Sequence, residues 1–237
     1  MSFLLRLLTS ALSALLSLTS LWGQVGPDVT GHWEGLIHAP EMAVAFEVDF
    51  ARDRKGVLVG TINLPAERIR RLPLTKVAVS GSSITFQARS DQPLTGVVAA
   101  DGKTITGDMS AMGGTAPFTL TRTGEAQIDT PKRQAPVGKA LEGNWNGSLA
   151  ARMGAMRLVL SIANDEDGAT ARVVNLDQGS LEIPASTITM SGSTVTLEFA
   201  SIGASYAGTL SPNGSELAGT FSEARGSVPL TFSRASQ

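Results

Sequence analysis

The chain contains no cysteine, and histidine and tyrosine are almost as scarce, with 2 and 1 in 237 residues. The absence of cysteine excludes disulfide bonds, thiolate nucleophiles and cysteine-ligated zinc or iron–sulfur sites. It also excludes a lipoprotein cleavage motif, which needs a cysteine at the cleavage point. No cofactor is therefore expected from cysteine chemistry.

An excess of charge of either sign is also lacking. The formal net charge is -2, and 42% of the residues are hydrophobic. A chain of this kind can bury a core but has no large basic surface, so nucleic acid is not an expected partner. No segment beyond the N-terminal one has sustained helical periodicity, which favours an all-β fold.

The N-terminal segment has the composition of a signal peptide. Arg6 supplies the positive region, Leu7 to Leu21 is uncharged, and small residues follow. We predict a signal peptide over residues 1–25, with cleavage between about residues 20 and 26. The alternative is an uncleaved anchor, for which the run is short because a spanning helix needs about 20 apolar residues. The expected location is periplasmic or extracellular, with no membrane span after cleavage.

The motif Gly-x-Trp-x-Gly occurs twice, at residues 31–35 and 143–147. An offset of 112 residues aligns these and many other positions. Examples are Gly31/Gly143, Trp33/Trp145, Gly56/Gly168, Asn63/Asn175, Gly96/Gly208, Gly107/Gly219, Pro117/Pro229 and Arg122/Arg234. Residues 31–122 and 143–234 are thus predicted to be two copies of one unit. Residues 123–142 are predicted to be a linker, because they contain Pro131, Lys132, Arg133, Pro136 and Gly138.

Within each copy the hydrophobic pattern alternates with period two, as in half-buried strands. Val44, Phe46, Val48 and Phe50 alternate with more polar residues, and turn signals such as Ser80-Gly81 separate the runs. About eight short strands per copy are predicted, joined as an antiparallel meander. Such a meander closes into a small barrel or folds over as a sandwich.

The parity of residues on the first and last strands favours closure. Trp33 points to the apolar face of the first strand, and Arg122 falls on the apolar parity of the last. Trp145 and Arg234 repeat the pattern. We predict that each arginine stacks on the tryptophan of its own copy and closes the barrel, a contact of roughly 0.5–2 kcal/mol.

The Gly-x-Trp opening with a terminal arginine resembles the lipocalin and calycin barrels, which implies an apolar cavity. The whole unit also resembles the β-rich domain ahead of the catalytic domain in exported bacterial α/β-hydrolases. No hydrolase domain follows Gln237, so the esterase activity of that family is not expected here.

The inward apolar residues either fill the interior or line a pocket for one small apolar ligand. They are Phe46, Phe50, Phe86, Phe118, Leu158, Leu197, Phe199 and Phe232.

Candidates for catalysis or metal binding are few. His32, Glu34 and His38 share an outward face, but the two histidines are six residues apart, about 20 Å, too far to hold one ion. Both are predicted to be solvated surface residues. The stretch around Ser205 lacks the second glycine of a nucleophile elbow. We therefore predict no catalytic residue, no metal and no enzyme activity.

Arg68, Arg70 and Arg71 lie between Pro65 and Pro73. They are predicted to form an ordinary charged loop, the alternative being a contact with an anionic group.

Two functions are compatible with these features. The first is an exported, non-catalytic module that binds a small apolar ligand inside its barrels. The second is a structural or accessory protein with solid barrels, which partners a separately encoded hydrolase or another envelope component.

Overall fold

The structure is a computed structural model. It describes residues 26–39, 41–111, 113–129, 133–151, 154–166, 168–178 and 180–236. The predicted signal peptide and residues 130–132 of the predicted linker lie outside the described residues.

The chain forms two all-β units of nine strands each. The strands of the first unit are β1 (Gly31–His38), β2 (Ala43–Arg52), β3 (Leu58–Leu64), β4 (Ile69–Pro73), β5 (Lys76–Ser80), β6 (Ser83–Gln87), β7 (Leu94–Val98), β8 (Thr104–Ala111) and β9 (Gly114–Gly124). Those of the second are β10 (Gly143–Ala151), β11 (Gly154–Asp165), β12 (Gly168–Asn175), β13 (Leu181–Pro184), β14 (Thr187–Ser191), β15 (Thr194–Phe199), β16 (Ala204–Leu210), β17 (Glu216–Glu223) and β18 (Gly226–Arg234). A short 3-10 helix, Pro65–Glu67, lies between β3 and β4.

Each unit is one antiparallel sheet in which the first strand pairs with the last. The strand order is β4-β3-β2-β1-β9-β8-β7-β6-β5, and the second unit repeats it as β13-β12-β11-β10-β18-β17-β16-β15-β14. The sheets curl into half-barrels whose free edges are two strands consecutive in the chain. The predicted all-β fold with two tandem barrel-like meanders is confirmed, with nine strands per unit in place of about eight.

The additional strand of the first unit is β4, where a charged loop was predicted. Ile69 and Leu72 are both buried although they are three residues apart, and Arg71 between them has a φ of 49°. The ladder with β3 shifts register between Ile62 and Leu64. A bulge of this kind breaks the period-two pattern, so the strand cannot be recognised from alternation.

The two glycines of each Gly-x-Trp-x-Gly motif have different structural roles. Gly31 and Gly143 have φ values of 137° and 121°, a region that side chains disfavour. A Cβ on Gly35 would lie 1.8 Å from the carbonyl oxygen of Thr119, and one on Gly147 would lie 2.6 Å from the ring of Phe232. The first glycine therefore sets the backbone before the tryptophan, and the second makes room for the closing strand.

The two units touch through the edge strands β4 and β13. The amide of Arg70 donates to the carbonyl of Ser201 at 2.8 Å. Leu181, from β13, belongs to the buried hydrophobic cluster of the first unit. The two cores are therefore in contact at this edge.

Within the described ranges, no helix has the length and hydropathy that a transmembrane span requires.

Candidate functional site

Each unit has a tryptophan and an arginine packed together between its first and last strands. Arg122 lies opposite Trp33 in the β1–β9 ladder, with its guanidinium carbon 4.9 Å from the ring centroid. Arg234 lies opposite Trp145, at 4.1 Å. Both indoles are fully buried. The structure thus brings together the four residues predicted to close the barrels.

The segment that precedes each first strand caps the same end of the unit, which the sequence did not indicate. The indole N–H of Trp33 donates to the carbonyl of Val29 at 2.9 Å, and that of Trp145 donates to the carbonyl of Leu141 at 3.0 Å. Val29 and Leu141 are buried in the cores of their units. Val137 is buried as well, so the end of the predicted linker is part of the second unit's core.

The eight residues predicted to fill the interior or to line an apolar pocket are all buried. In the first unit the rings of Phe50, Phe86 and Phe118 pack edge to face, with centroids 5.3 and 5.9 Å apart along the series. In the second unit a cavity of about 20 Å³ lies beside Leu158, Leu197, Phe199 and Phe232. That volume holds about one water molecule, whereas pockets for small ligands measure roughly 300–1,000 Å³.

Tyr206 belongs to this core but was not among the predicted residues. Its hydroxyl donates to the carbonyl of Leu217 at 2.8 Å and lies 3.2 Å from that of Leu230. Burial raises the pKa of Tyr206, so the phenol stays protonated and remains a donor. The first unit has Leu94 at the aligned position, a difference that the repeat alignment could have revealed.

His32 is not the solvated surface residue that was predicted. Its side chain is 15% exposed, and its Nδ1 lies 2.9 Å from Oδ1 of Asp49, which is 1% exposed. The same carboxylate oxygen accepts from the amide of Gln127 at 2.8 Å. The chain after β9 therefore covers this part of the outer face, a long-range contact that strand periodicity cannot predict. His38 is exposed, as expected.

An open groove lies beside this covered region, on the outer face of the first unit. Its volume is about 370 Å³. The residues that line it are Glu34, Gly35, Leu36, Ala45, Phe46, Glu47, Pro65, Thr121 and Thr123. We call it the outer groove.

Two carboxylates face each other in the outer groove. Glu34 on β1 and Glu47 on β2 are directly opposite in the antiparallel ladder. The carboxylate of Glu34 accepts a hydrogen bond from the hydroxyl of Thr123 at 3.0 Å, and that of Glu47 accepts one from the side-chain amide of Asn63 at 2.9 Å. Nε2 of His32 lies 3.5 Å from Oε1 of Glu34. Among the described residues, neither carboxylate forms an ion pair with a lysine or arginine. Like charges directly opposite across strands destabilise a sheet, so this arrangement favours a cationic neighbour.

The arrangement does not indicate a metal site or a catalytic centre. Within the described ranges no three histidine, aspartate or glutamate side chains converge on one point. Ser205, the one serine considered as a nucleophile, lies on β16 beside Tyr206, and among the described residues no hydrogen bond joins it to His32 or His38. The polar side chains of the outer groove offer hydrogen bonding and charge pairing.

No protein-family model matches this chain, and no curated protein sequence matches it. A putative outer membrane protein from Bacteroides fragilis NCTC 9343 is 11% identical, with 88% of this chain and 98% of that chain covered and a TM-score of 0.27. A protein with unknown function from the DUF3598 family of Nostoc punctiforme PCC 73102 is 15% identical, with coverages of 87% and 96% and a TM-score of 0.25. These scores are too low to support an argument. The resemblance to lipocalins and to hydrolase-associated domains stays a prediction.

Proposed function

We propose that this protein is an exported, non-catalytic interaction protein in which two solid barrels support binding surfaces on their outside. One observation carries the proposal. The aromatic side chains that would line an internal cavity are packed against one another, while the groove of about 370 Å³ lies on the outer face. An apolar ligand inside a barrel would have to displace rings from a close-packed core.

The partner in this proposal is a protein of the same compartment, such as a separately encoded hydrolase or an envelope component. Export rests on Arg6 and on the uncharged run from Leu7 to Leu21. N-terminal sequencing of the protein from an exporting host tests this part. The expected result is a mature terminus between about residues 20 and 26.

Native mass spectrometry of the protein purified from its own host tests the solid-barrel part. The expected spectrum contains the mass of the processed chain alone. A lipid or metabolite that is retained under native conditions and lost on denaturation would instead support the apolar-ligand module. A denatured sample of the same preparation is the control, because it separates bound molecules from covalent modification.

A further inference from the structure

The two units provide an internal comparison for the outer groove, because they share one fold and one strand register. Leu36 pairs with Ala45 in the first unit, and the aligned Ser148 pairs with Arg157 in the second. The first unit therefore has a small residue, Ala45, at the position where the second unit has an arginine.

In the second unit, the arginine and an aspartate pair on the corresponding surface. The guanidinium of Arg157 contacts Oδ1 of Asp177 through Nε at 2.9 Å and through a terminal nitrogen at 2.5 Å. The backbone amide of Arg157 donates to the other carboxylate oxygen at 2.7 Å. Asp177 aligns with Pro65 of the first unit. In the second unit, the surface that corresponds to the outer groove therefore contains both a cation, Arg157, and its counterion, Asp177.

The first unit has the reverse arrangement of charge and space. Ala45 supplies no cation, whereas Glu34 and Glu47 replace the uncharged Asn146 and Val159 of the second unit. The outer groove of about 370 Å³ is lined by the apolar Leu36, Ala45 and Pro65 and by two facing carboxylates. An arginine side chain matches both features, since its stem is apolar and its planar head pairs with carboxylates.

We infer that the outer groove binds an arginine side chain of a partner protein, at the place where the second unit has Arg157 of its own. This inference rests on the proposed function in one respect, namely that the partner is a protein. The groove geometry and the internal comparison supply the chemistry. The carboxylates of Glu34 and Glu47 accept hydrogen bonds from the guanidinium, while Leu36 and Pro65 contact its stem.

The test uses the full processed chain and two short peptides as probes. The first is acetyl-Gly-Arg-Gly-amide, and the second has citrulline, which keeps the shape and removes the charge. Amide chemical shifts are followed by NMR as each peptide is added. The arginine peptide is expected to give saturable shifts at residues 34–36 and 45–47, with an affinity about tenfold or more above that of the citrulline peptide. Added salt weakens the binding.

Three groove variants and one control variant make the test specific. Ala45→Arg introduces the arginine of the second unit, and Glu47→Val introduces its valine; each is expected to lower the affinity about tenfold or more. Glu34→Asn follows the same logic and serves if either of the others fails to fold, as judged by circular dichroism. Glu198→Gln changes the net charge as Glu34→Asn does, on an exposed position of the second unit, and is expected to leave binding unchanged.

The inference is overturned if the arginine peptide gives no saturable shifts in the groove. Equal binding of the two peptides, or binding that the groove variants leave unchanged, overturns it as well. Failure here is distinct from failure of the proposed function. A retained internal lipid in the native mass spectrum contradicts the solid barrels whatever the peptides do, and absent peptide binding leaves the solid barrels in place.

Discussion

At the scale of single residues, the two closing arginines have equivalent positions but different anchoring. Arg234 donates to the carbonyls of Gly214 and Glu142, at 2.8 and 2.7 Å, and also to that of Ala140. Arg122 donates to the carbonyl of Asp28, while its Nε is buried without a partner. The second unit therefore holds its arginine more firmly.

This difference predicts unequal costs for the same substitution. Arg122→Met should destabilise the first unit by about 1–3 kcal/mol, because one charged hydrogen bond and a cation–π contact are lost. Arg234→Met should cost the second unit more, because two further hydrogen bonds from a charged group are lost, each contributing up to about 1.5–3 kcal/mol. Hydrogen exchange of amides in each unit measures the two free energies. Equal costs would show that the extra carbonyl contacts add nothing.

The buried phenol of Tyr206 is expected to stabilise the second unit. Tyr206→Phe should destabilise the second unit by about 1–3 kcal/mol, because the hydroxyl satisfies a buried carbonyl of Leu217. Thermal unfolding monitored by calorimetry measures the effect, with Ser205→Ala on the neighbouring position as the control. A phenylalanine variant as stable as the parent would mean that this carbonyl is satisfied by the strand ladder alone.

Sequence reasoning reached some of these residues and missed others for a physical reason. The pairing of Trp33 with Arg122 follows from strand parity, which is local information. The burial of His32 depends on the segment after the last strand, in which Gln127 donates to Asp49. Strand parity does not predict that a distant segment covers the outer face. The outer groove has the small residue Ala45 at the position where the second unit has Arg157. This contrast was visible in the repeat alignment.

At the scale of elements, strands with an unbroken period of two were predicted to within a few residues. β2 was recognised because Phe46, Val48 and Phe50 face one core. β4 was missed because Arg71 adopts a positive φ and shifts the buried positions out of alternation. Its partner across the units, β13, is a four-residue strand, too short for a periodic signal.

The contact between these edge strands predicts coupling across the units. Leu181 belongs to the second unit, but its side chain packs in the core of the first unit. The substitution Leu181→Ala should therefore destabilise the first unit by about 2 kcal/mol. Leu210→Ala is a matched control, since Leu181 is 9% exposed and Leu210 is 8% exposed but packs in the second core. Hydrogen exchange at β2 and β3 distinguishes the two. A first unit unaffected by Leu181→Ala would show that the edges touch without stabilising each other.

At the scale of the whole molecule, the two units share the pairing of first and last strands and differ in what their outer surfaces carry. Both units keep the tryptophan, the arginine and the two motif glycines. The outer face of the second unit is neutralised internally by Arg157 and Asp177, whereas that of the first unit has Glu34 facing Glu47. In the proposed function, the first unit binds the partner, and the second unit keeps the scaffold without that groove chemistry.

Aspartates in both units predict how the molecule responds to acid. The pKa of Asp28 is lowered from its ordinary value of 3.8, chiefly because the backbone N–H of Thr30 donates to it. The side chains of Arg89 and Arg157 lower the pKa values of Asp91 and Asp177 by hydrogen bonding. A lowered folded-state pKa contributes stability that is present above the unfolded value and is lost as pH falls through the folded one.

The midpoint of thermal unfolding should therefore fall as the pH is lowered from about 4 towards 2. Asp28→Asn keeps an oxygen that accepts from Thr30 but removes the titration, so its midpoint should depend less steeply on pH over that range. Calorimetry of both proteins across the range measures the two slopes. If the slopes are the same, the Asp28 carboxylate contributes nothing to acid sensitivity, and the loss of stability comes from other carboxylates, such as those of Asp91 and Asp177.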